Sequence, residues 1–346
     1  MSVPMRAGAA AALVLLALPL VSASRAQDVA CPGGLREAAV GVAVVPPNVL
    51  HTPAYVAKEL GLFARHCIDA KIVAFEGAGS ATATVAVAQG KVIGTISDVA
   101  IAQGVKAHQI FMYAPRLPQL YAVSGQIKTP ADLKGKRLSA AGGGVGSFNW
   151  RMARAVLTEA GLKPEDVQFI SQGTAGRLPG LLTGQLDGVV LHPEDFFIAQ
   201  RQRPDVHVLS VLAEKLPHMP SGAYGAADTL IGRDRITVVA VVAAMVEANR
   251  TIYRDKARVL PIIAKMTEKP LDAVEYALDV LTKNCIWAVN SGFAPERTTW
   301  TLAYNLENGD IQKDKAPTYA QIVDETIAAE AIAKVGGAVE IGGCRL

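Results

Sequence analysis

Five residues near the middle of the chain, Gly142, Gly143, Gly144, Gly146 and Ser147, could hold a ligand through backbone alone. They follow a short basic-then-apolar segment, residues 136–141. They precede apolar residues at Phe148, Met152, Val156 and Ala160, which is helical spacing. Ser147 is suited to cap that helix, and Gly161 with Pro164 to stop it. Such a strand–turn–helix brings bare N–H groups to the positive end of a helix dipole, where anions and other hydrogen-bond acceptors are held. The turn is not a nucleotide loop. Position 147 is Ser, so GxGxxG fails, and no Lys-Ser/Thr pair follows for a P-loop. A tight turn that needs glycine for steric reasons alone is the competing reading.

The segments that must position this turn alternate between strand and helix. Residues 38–45, 70–75 and 92–96 read as strands, with a helix from Pro53 and a small-residue helix after Ser80 between them. Residues 136–141, 167–170 and 188–191 repeat the plan. Alternation of this kind makes right-handed βαβ units and a parallel sheet, with ligands beyond the carboxyl ends of the strands. That rim comprises the turns at 48–52, 77–80 and 97–98 in the first half, and at 142–147, 172–177 and 192–194 in the second. AVAQGKVIGTIS and GLLTGQLDGVVL echo each other in glycines and apolar pattern, a weak internal repeat. Residues 121–124 and 222–226 read as the crossings between two lobes. Helices are expected after them at 237–254, 256–266, 271–282, 295–306 and 319–334.

The chain has 346 residues, 51% of them hydrophobic, enough for a large core in two lobes. Residues 1–26 read as a secretory signal: Arg6, an apolar run from Ala9 to Leu20, then Ser24-Arg25-Ala26. Cleavage after Ala23 is the alternative, and Asp28-Val29-Ala30 ahead of Cys31 is a poor lipobox. Taking Arg6 and Arg25 from 34 Lys and Arg leaves 32 against 31 acids, a net +1, which argues for no nucleic acid and no anionic membrane surface. Cys31, Cys67, Cys285 and Cys344 match no metal spacing, and an exported chain with four cysteines favours disulfides. At least one is expected, joining Cys344 to Cys285 or Cys31, with Cys67 a bonded or a buried apolar residue; sequence leaves three connectivities open.

Three blocks carry a family resemblance. HTPAYVAKELGLFARHCIDAKIV from His51, TPADLKGKRLSAAGGGVGS from Thr129 and LTGQLDGVVLHPED from Leu182 resemble, in order, blocks of periplasmic substrate-binding proteins of nitrate/sulfonate/taurine-type ABC transporters, the NMT1/THI5-like family. Cys67 stands where that family usually has Gly, and Pro46-Pro47-Asn48 and His51 also depart from it. The resemblance implies an α/β, two-lobed periplasmic-binding-protein fold of type II, each lobe a mainly parallel sheet flanked by helices, joined by two hinge strands. Residues 27–121 and 225–346 then form lobe I, and residues 122–224 an inserted lobe II. It also implies a small-molecule ligand, delivery to an inner-membrane ABC permease, a periplasmic monomer, and no cofactor, metal or catalytic residue.

Candidate ligand contacts on lobe I are Asn48, His51, Thr52, Gly79, Ser80, Ser97 and Asp98; on lobe II they are Gly144, Gly146, Ser147, Thr174, His192 and Glu194. Several have structural readings beside the ligand one. His51 can cap its helix. Asp98 reads as the N-cap of a helix starting at Val99. Glu194 complements a helix dipole whatever the ligand. Trp150 and Arg151 read as packing and a solvated charge. Arg177 is the one basic residue at an expected rim, so oxyanion, taurine-like zwitterion and pyrimidine-like heterocycle all remain as ligands. The rival functions are a THI5-like pyrimidine-synthesis enzyme on the same fold and a ligand sensor for a membrane receptor. No Gly-x-Ser-x-Gly elbow is present for a hydrolase.

Overall fold

The computed structural model describes Met1 and residues 31–42, 44–75, 79–140 and 146–346, with backbone only for residues 79–81. The expected leader beyond Met1, and Gly144, therefore lie outside the described residues.

Among the described residues, ten strands form a first sheet of two parts joined by an isolated bridge and a continuous second sheet. Strands β1 (Arg36–Val42) and β2 (Ile68–Ala74) pair in parallel. Val40 bridges Ile93 in parallel beside β3 (Gly94–Thr95), which links them to β4 (Ala107–Ala114) and β10 (Gly222–Ala227). The second sheet runs β7 (Gln168–Ile170), β6 (Arg137–Ser139), β8 (Gly188–Leu191), β5 (Leu120–Val123), β9 (His207–Val211). In each sheet a single strand opposes its neighbours: β10 is antiparallel to β3 and β4, and β5 to β8 and β9. That strand is the one arriving from the other half of the chain, and β3 and β8, the two echoing segments, both lie next to it.

Residues 121–124 and 222–226, expected as crossings, are thus largely strand. The chain crosses at 115–119 and 216–221, next to β5 and β10. Strands β5 and β10 occupy the segments expected as hinge strands, whereas β4 and β9 lie outside the expected strands, AHQIFMYA having no clean alternation.

Among the described residues, fourteen α-helices flank the sheets. In the first half, α1 (Pro53–Glu59) and α2 (Leu62–Arg65) are parted by Gly61 in the left-handed region, φ 68°. They are followed by α3 (Gly79–Ala88) and α4 (Asp98–Ala102). Beside the second sheet lie α5 (Phe148–Glu159), α6 (Arg177–Leu182), α7 (Pro193–Gln202) and α8 (Leu212–Lys215). The chain ends in α9 (Asp228–Arg254), α10 (Lys256–Thr267), α11 (Leu271–Lys283), α12 (Pro295–Glu307), α13 (Tyr319–Ile322) and α14 (Glu325–Lys334). Helix α9 kinks at Asp234, whose carboxylate accepts from Thr237 N at 3.3 Å and restarts the helix where its apolar face begins. Residues 319–334, expected as one helix, break because Val323 bridges Gln109 of β4 and Asp324 caps α14 through Thr326 N. No described helix is long and apolar enough to cross a membrane.

Helix α12 spans both halves. Arg297 Nη1 donates to Pro115 O at 3.1 Å and Pro217 O at 3.0 Å, one carbonyl on each crossing segment. Trp300 and Tyr304 pack on the apolar cluster beneath α5, and Leu302 belongs to the cluster beneath β4. Two disulfides close the chain ends, Cys31–Cys67 and Cys285–Cys344. Cys67 is therefore bonded and not a free apolar residue, which settles both the connectivity and the partner of Cys344.

Candidate functional site

The expected rim residues take up distinct jobs. Asn48 precedes a 3-10 turn, Val49–His51, and is buried. Thr52 turns its hydroxyl back to Val49 O at 2.8 Å and serves the turn. Ser97, not Asp98, caps α4, accepting from Ala100 N at 3.1 Å. Asp98 is the next residue, and its carboxylate accepts instead from Asn305 Nδ2 at 2.8 Å. Across the gap, Gly146 sits at φ 82° and Ser147 caps α5, accepting from Trp150 N at 3.3 Å. Gly79 and Ser80 open α3, with no description of their side chains.

A cavity of about 580 Å³ lies between the two rims. Asn48, His51, Ser97 and Asp98 line it from the first sheet, and Gly146, Ser147, Thr174 and His192 from the second. Among the described residues, Thr52 and Glu194 are absent from its lining. Glu194 is fully buried beside it, and its Oε1 accepts from Val49 N at 2.9 Å, across the gap. His51 and His192 meet edge-on with ring centres 5.9 Å apart, one from each rim, so His51 does not cap a helix.

The cavity's charge follows from burial. Loss of water first, and the nearby Arg177 second, hold the His51 imidazole down at about 4. His192 is held well below the ordinary histidine range by burial, then by Arg177 and His51. Both rings are neutral at pH 7. Burial also raises the Asp98 carboxyl, against the pull of Arg151 and its hydrogen bonds, and raises Glu194 to about 7, with Asp195 adding to the push. Arg177 is 3% exposed, and its guanidinium donates to Val190 O at 2.7 Å, Thr174 O at 3.1 Å and Asn149 Oδ1 at 3.3 Å. No carboxylate bonds it directly. Arg151, expected as a solvated charge, lines the cavity and donates to Asn305 Oδ1 at 3.2 Å. Asp98 is set against Arg151, and Arg177 is met at longer range by Asp195, itself paired with Lys269, and by Glu194.

The profile described as "NMT1/THI5 like" matches residues 48–256, more than half of the sequence. The chain belongs to the NMT1/THI5-like family. Solved structures show the fold of this NMT1/THI5-like protein at low identity. The alkanesulfonate-binding protein SsuA from Xanthomonas axonopodis pv. citri, bound to MOPS, is 18% identical, with 84% of this chain and 98% of that one covered and a TM-score of 0.65. The periplasmic nitrate-binding protein NrtA from Synechocystis PCC 6803 is 14% identical over 87% of this chain and 89% of that one, TM-score 0.69. The desulfurization enzyme DSZB shares the fold too, at 14% identity, 87% and 100% coverage and TM-score 0.60. No curated protein matches.

Fold alone therefore leaves the chemistry of this NMT1/THI5-like chain to its own residues. Tyr113, Gln109, Gln119 and Thr301 line the cavity as well. Of the residues sequence reasoning passed over, Arg151 had a usable signal. It lies four residues after Ser147, so the same helix face carries both to the rim. Thr301 had none, since it belongs to a helix far along the chain. Trp150 does pack, as expected, against Phe169 with ring centres 6.1 Å apart. Among the described residues, no group of three His, Cys, Asp or Glu is placed to hold a metal ion.

Proposed function

We propose that this protein is an extracytoplasmic solute-binding protein. It clamps a small organic anion between lobes I (residues 27–121 and 225–346) and II (residues 122–224) and delivers it to an ABC permease. One observation carries the reading: the cavity between the two rims is lined by a buried arginine, Arg177, beside two neutral imidazoles. Among the described residues its direct bonds go to Val190 O, Thr174 O and Asn149 Oδ1, and Asp195 and Glu194 act on it only at longer range. A buried cation of this kind is costly unless a charge partner arrives. The ionic balance suits one negative charge, and the N-terminus of α5 behind Ser147 adds a second pull in the same direction.

The ligand's body is apolar. Val44, Ile96, Val99, Phe148 and Met219 share the lining, and about 580 Å³ falls in the range of sites built for organic molecules, not for a bare inorganic oxyanion. An organic sulfonate or carboxylate fits both features, and the sulfonate- and nitrate-binding proteins that share the fold are consistent with it.

A thermal-shift panel tests the proposal, because a ligand that binds only the folded state raises the melting temperature. Benzenesulfonate, benzoate and ethanesulfonate are compared with the zwitterion taurine, with sulfate and nitrate, and with cationic and neutral analogues of the same shape. Organic monoanions alone should stabilise the protein, with titration calorimetry giving one site per chain. Stabilisation by the cationic analogues only, or turnover of a bound anion, would overturn the reading; turnover would favour an enzyme on this fold.

A further inference from the structure

We infer that Asn305 of α12, outside the segment matched by the family profile, is a positioning residue of the cavity, fixing Arg151 of one rim against Asp98 of the other. The inference rests on the reading of the cavity as a ligand site. Asn305 is wholly buried, and its amide is used at both ends. Nδ2 donates to Asp98 Oδ2 at 2.8 Å, and Oδ1 accepts from Arg151 Nη1 at 3.2 Å. The two partners fix the orientation of the amide: the reverse would set its NH₂ against a guanidinium and its carbonyl against a carboxylate.

The backbone of Asn305 is pinned as firmly. Its carbonyl accepts from Asp310 N at 2.8 Å and Ile311 N at 3.1 Å. Asp310 in turn pairs with Arg154 of α5 at 2.8 Å, both side chains being mostly buried. The amide therefore reaches the cavity wall from a rigid mount, and helix α5 is held by the same mount one turn further on.

Consider the wall without it. Arg151 and Asp98 carry opposite charges on facing rims, so a direct pair would take the guanidinium away from the ligand. The amide keeps them apart while bonding each, and leaves the buried Arg151 Nε without a partner among the described residues. Arg151 is then held in one rotamer, and ordering a free arginine no longer opposes ligand binding. Because Asp98 belongs to the first rim and Arg151 to the second, the same relay ties the two halves at the cavity.

Selective ¹⁵N-arginine labelling tests this on the whole protein. The Arg151 Nε–Hε proton, on a nitrogen that is buried, should exchange slowly with water. In Asn305→Ala it should exchange at least about tenfold faster, and affinity for benzenesulfonate should fall about tenfold, the effect of losing one charge-assisted bond. Asn305→Asp keeps an acceptor for Arg151 but sets a second carboxylate against Asp98, so it should restore slow exchange at Arg151 without restoring affinity for benzenesulfonate. Leu302→Ala, in the apolar cluster beneath the same helix, should lose stability and keep both properties. Unchanged exchange in a folded Asn305→Ala protein would overturn the inference, and so would equal acceleration in Leu302→Ala. If exchange responds as expected while benzenesulfonate fails to bind the wild type, the relay stands and the ligand reading falls.

Discussion

Glu194 Oε1 accepts a 2.9 Å hydrogen bond from the backbone N of Val49, joining the turn after β8 to the turn after β1 across the gap between the sheets. The bond is one rung of a longer contact. Further along α7, Asp195 pairs with Lys269, Phe197 stacks on Tyr276 with ring centres 5.0 Å apart, and Arg201 pairs with Asp272 of α11. On the other flank α12 braces both crossing segments through Arg297. The cavity is thus closed on one side by a polar, partly exposed seam and on the other by a helix packed into both apolar clusters. Motion that admits ligand is expected at the polar seam.

Glu194 should make stability fall as pH rises. Its carboxyl is raised to about 7 from the ordinary carboxylate range, first by burial and then by Asp195. Below about pH 4.5 both states hold the proton and nothing is lost. Between there and pH 7 the unfolded chain releases it first, and above pH 7 the folded state carries the full penalty, on the order of 1–3 kcal/mol. Glu194→Gln keeps an acceptor for Val49 N and removes the penalty. Its melting temperature should exceed the wild type's at pH 8 and converge with it near pH 4.5. A difference of constant size across this range would contradict the assignment.

The two ion pairs of the seam should differ sharply in strength. Lys269 and Asp195 are 18% and 9% exposed, so Lys269→Ala strands a nearly buried carboxylate and should cost about 3 kcal/mol. Arg201 and Asp272 are 63% and 53% exposed, and Arg201→Ala should cost under about 1 kcal/mol, including its contact with the Phe197 ring. Urea melts of the two variants decide between this order and its reverse.

Much of this arrangement was legible in the residues, where local chemistry sets local structure. Gly188 and Pro193 bracket β8, and Ser147 and Gly161 bracket α5, so those bounds follow from capping and turn rules alone. Eight of the expected contacts converge because parallel strands point their carboxyl ends at one gap. The failures share a different cause. Strands β4 and β9, and the place of β5 in its sheet, are set by pairing with distant partners. Likewise the pairing of Asp98 and of Arg151 with Asn305, and the diversion of Glu194 to Val49 N, depend on α12 and on the opposing rim. Such partners lie from 65 to 207 residues away, and no local pattern announces them.

The two disulfides should contribute nearly equally to stability, because the loop term grows only with the logarithm of the chain closed. Cys31–Cys67 spans 36 residues and Cys285–Cys344 spans 59, so each limits the unfolded chain by about 4 kcal/mol on the loop-entropy account. The second also holds the chain end, where Leu346 O accepts from Val289 N at 2.7 Å and Asn290 N at 2.8 Å. Replacing Cys285 and Cys344 together by Ser should lower the melting temperature and speed hydrogen exchange at residues 339–346 selectively. Mass analysis finding four free thiols in protein purified without reductant would contradict the pairing.

The most direct test of the ligand site is calorimetric titration of wild type and Gly146→Val with the tightest-binding organic monoanion, beside their thermal melts. Gly146 lines the cavity, and an added Cβ there meets nothing within 4 Å, so a valine would project into open space. Its φ of 82° adds about 1–2 kcal/mol of strain for a residue with a side chain. Ser147→Ala, the comparison variant, loses about 1 kcal/mol of capping. Gly146→Val should remain folded, melt only modestly lower, and bind at least about tenfold more weakly because valine occupies the ligand's approach to the α5 N-terminus. Affinity equal to wild type in a folded Gly146→Val protein would contradict the claim that the ligand lies in this cavity.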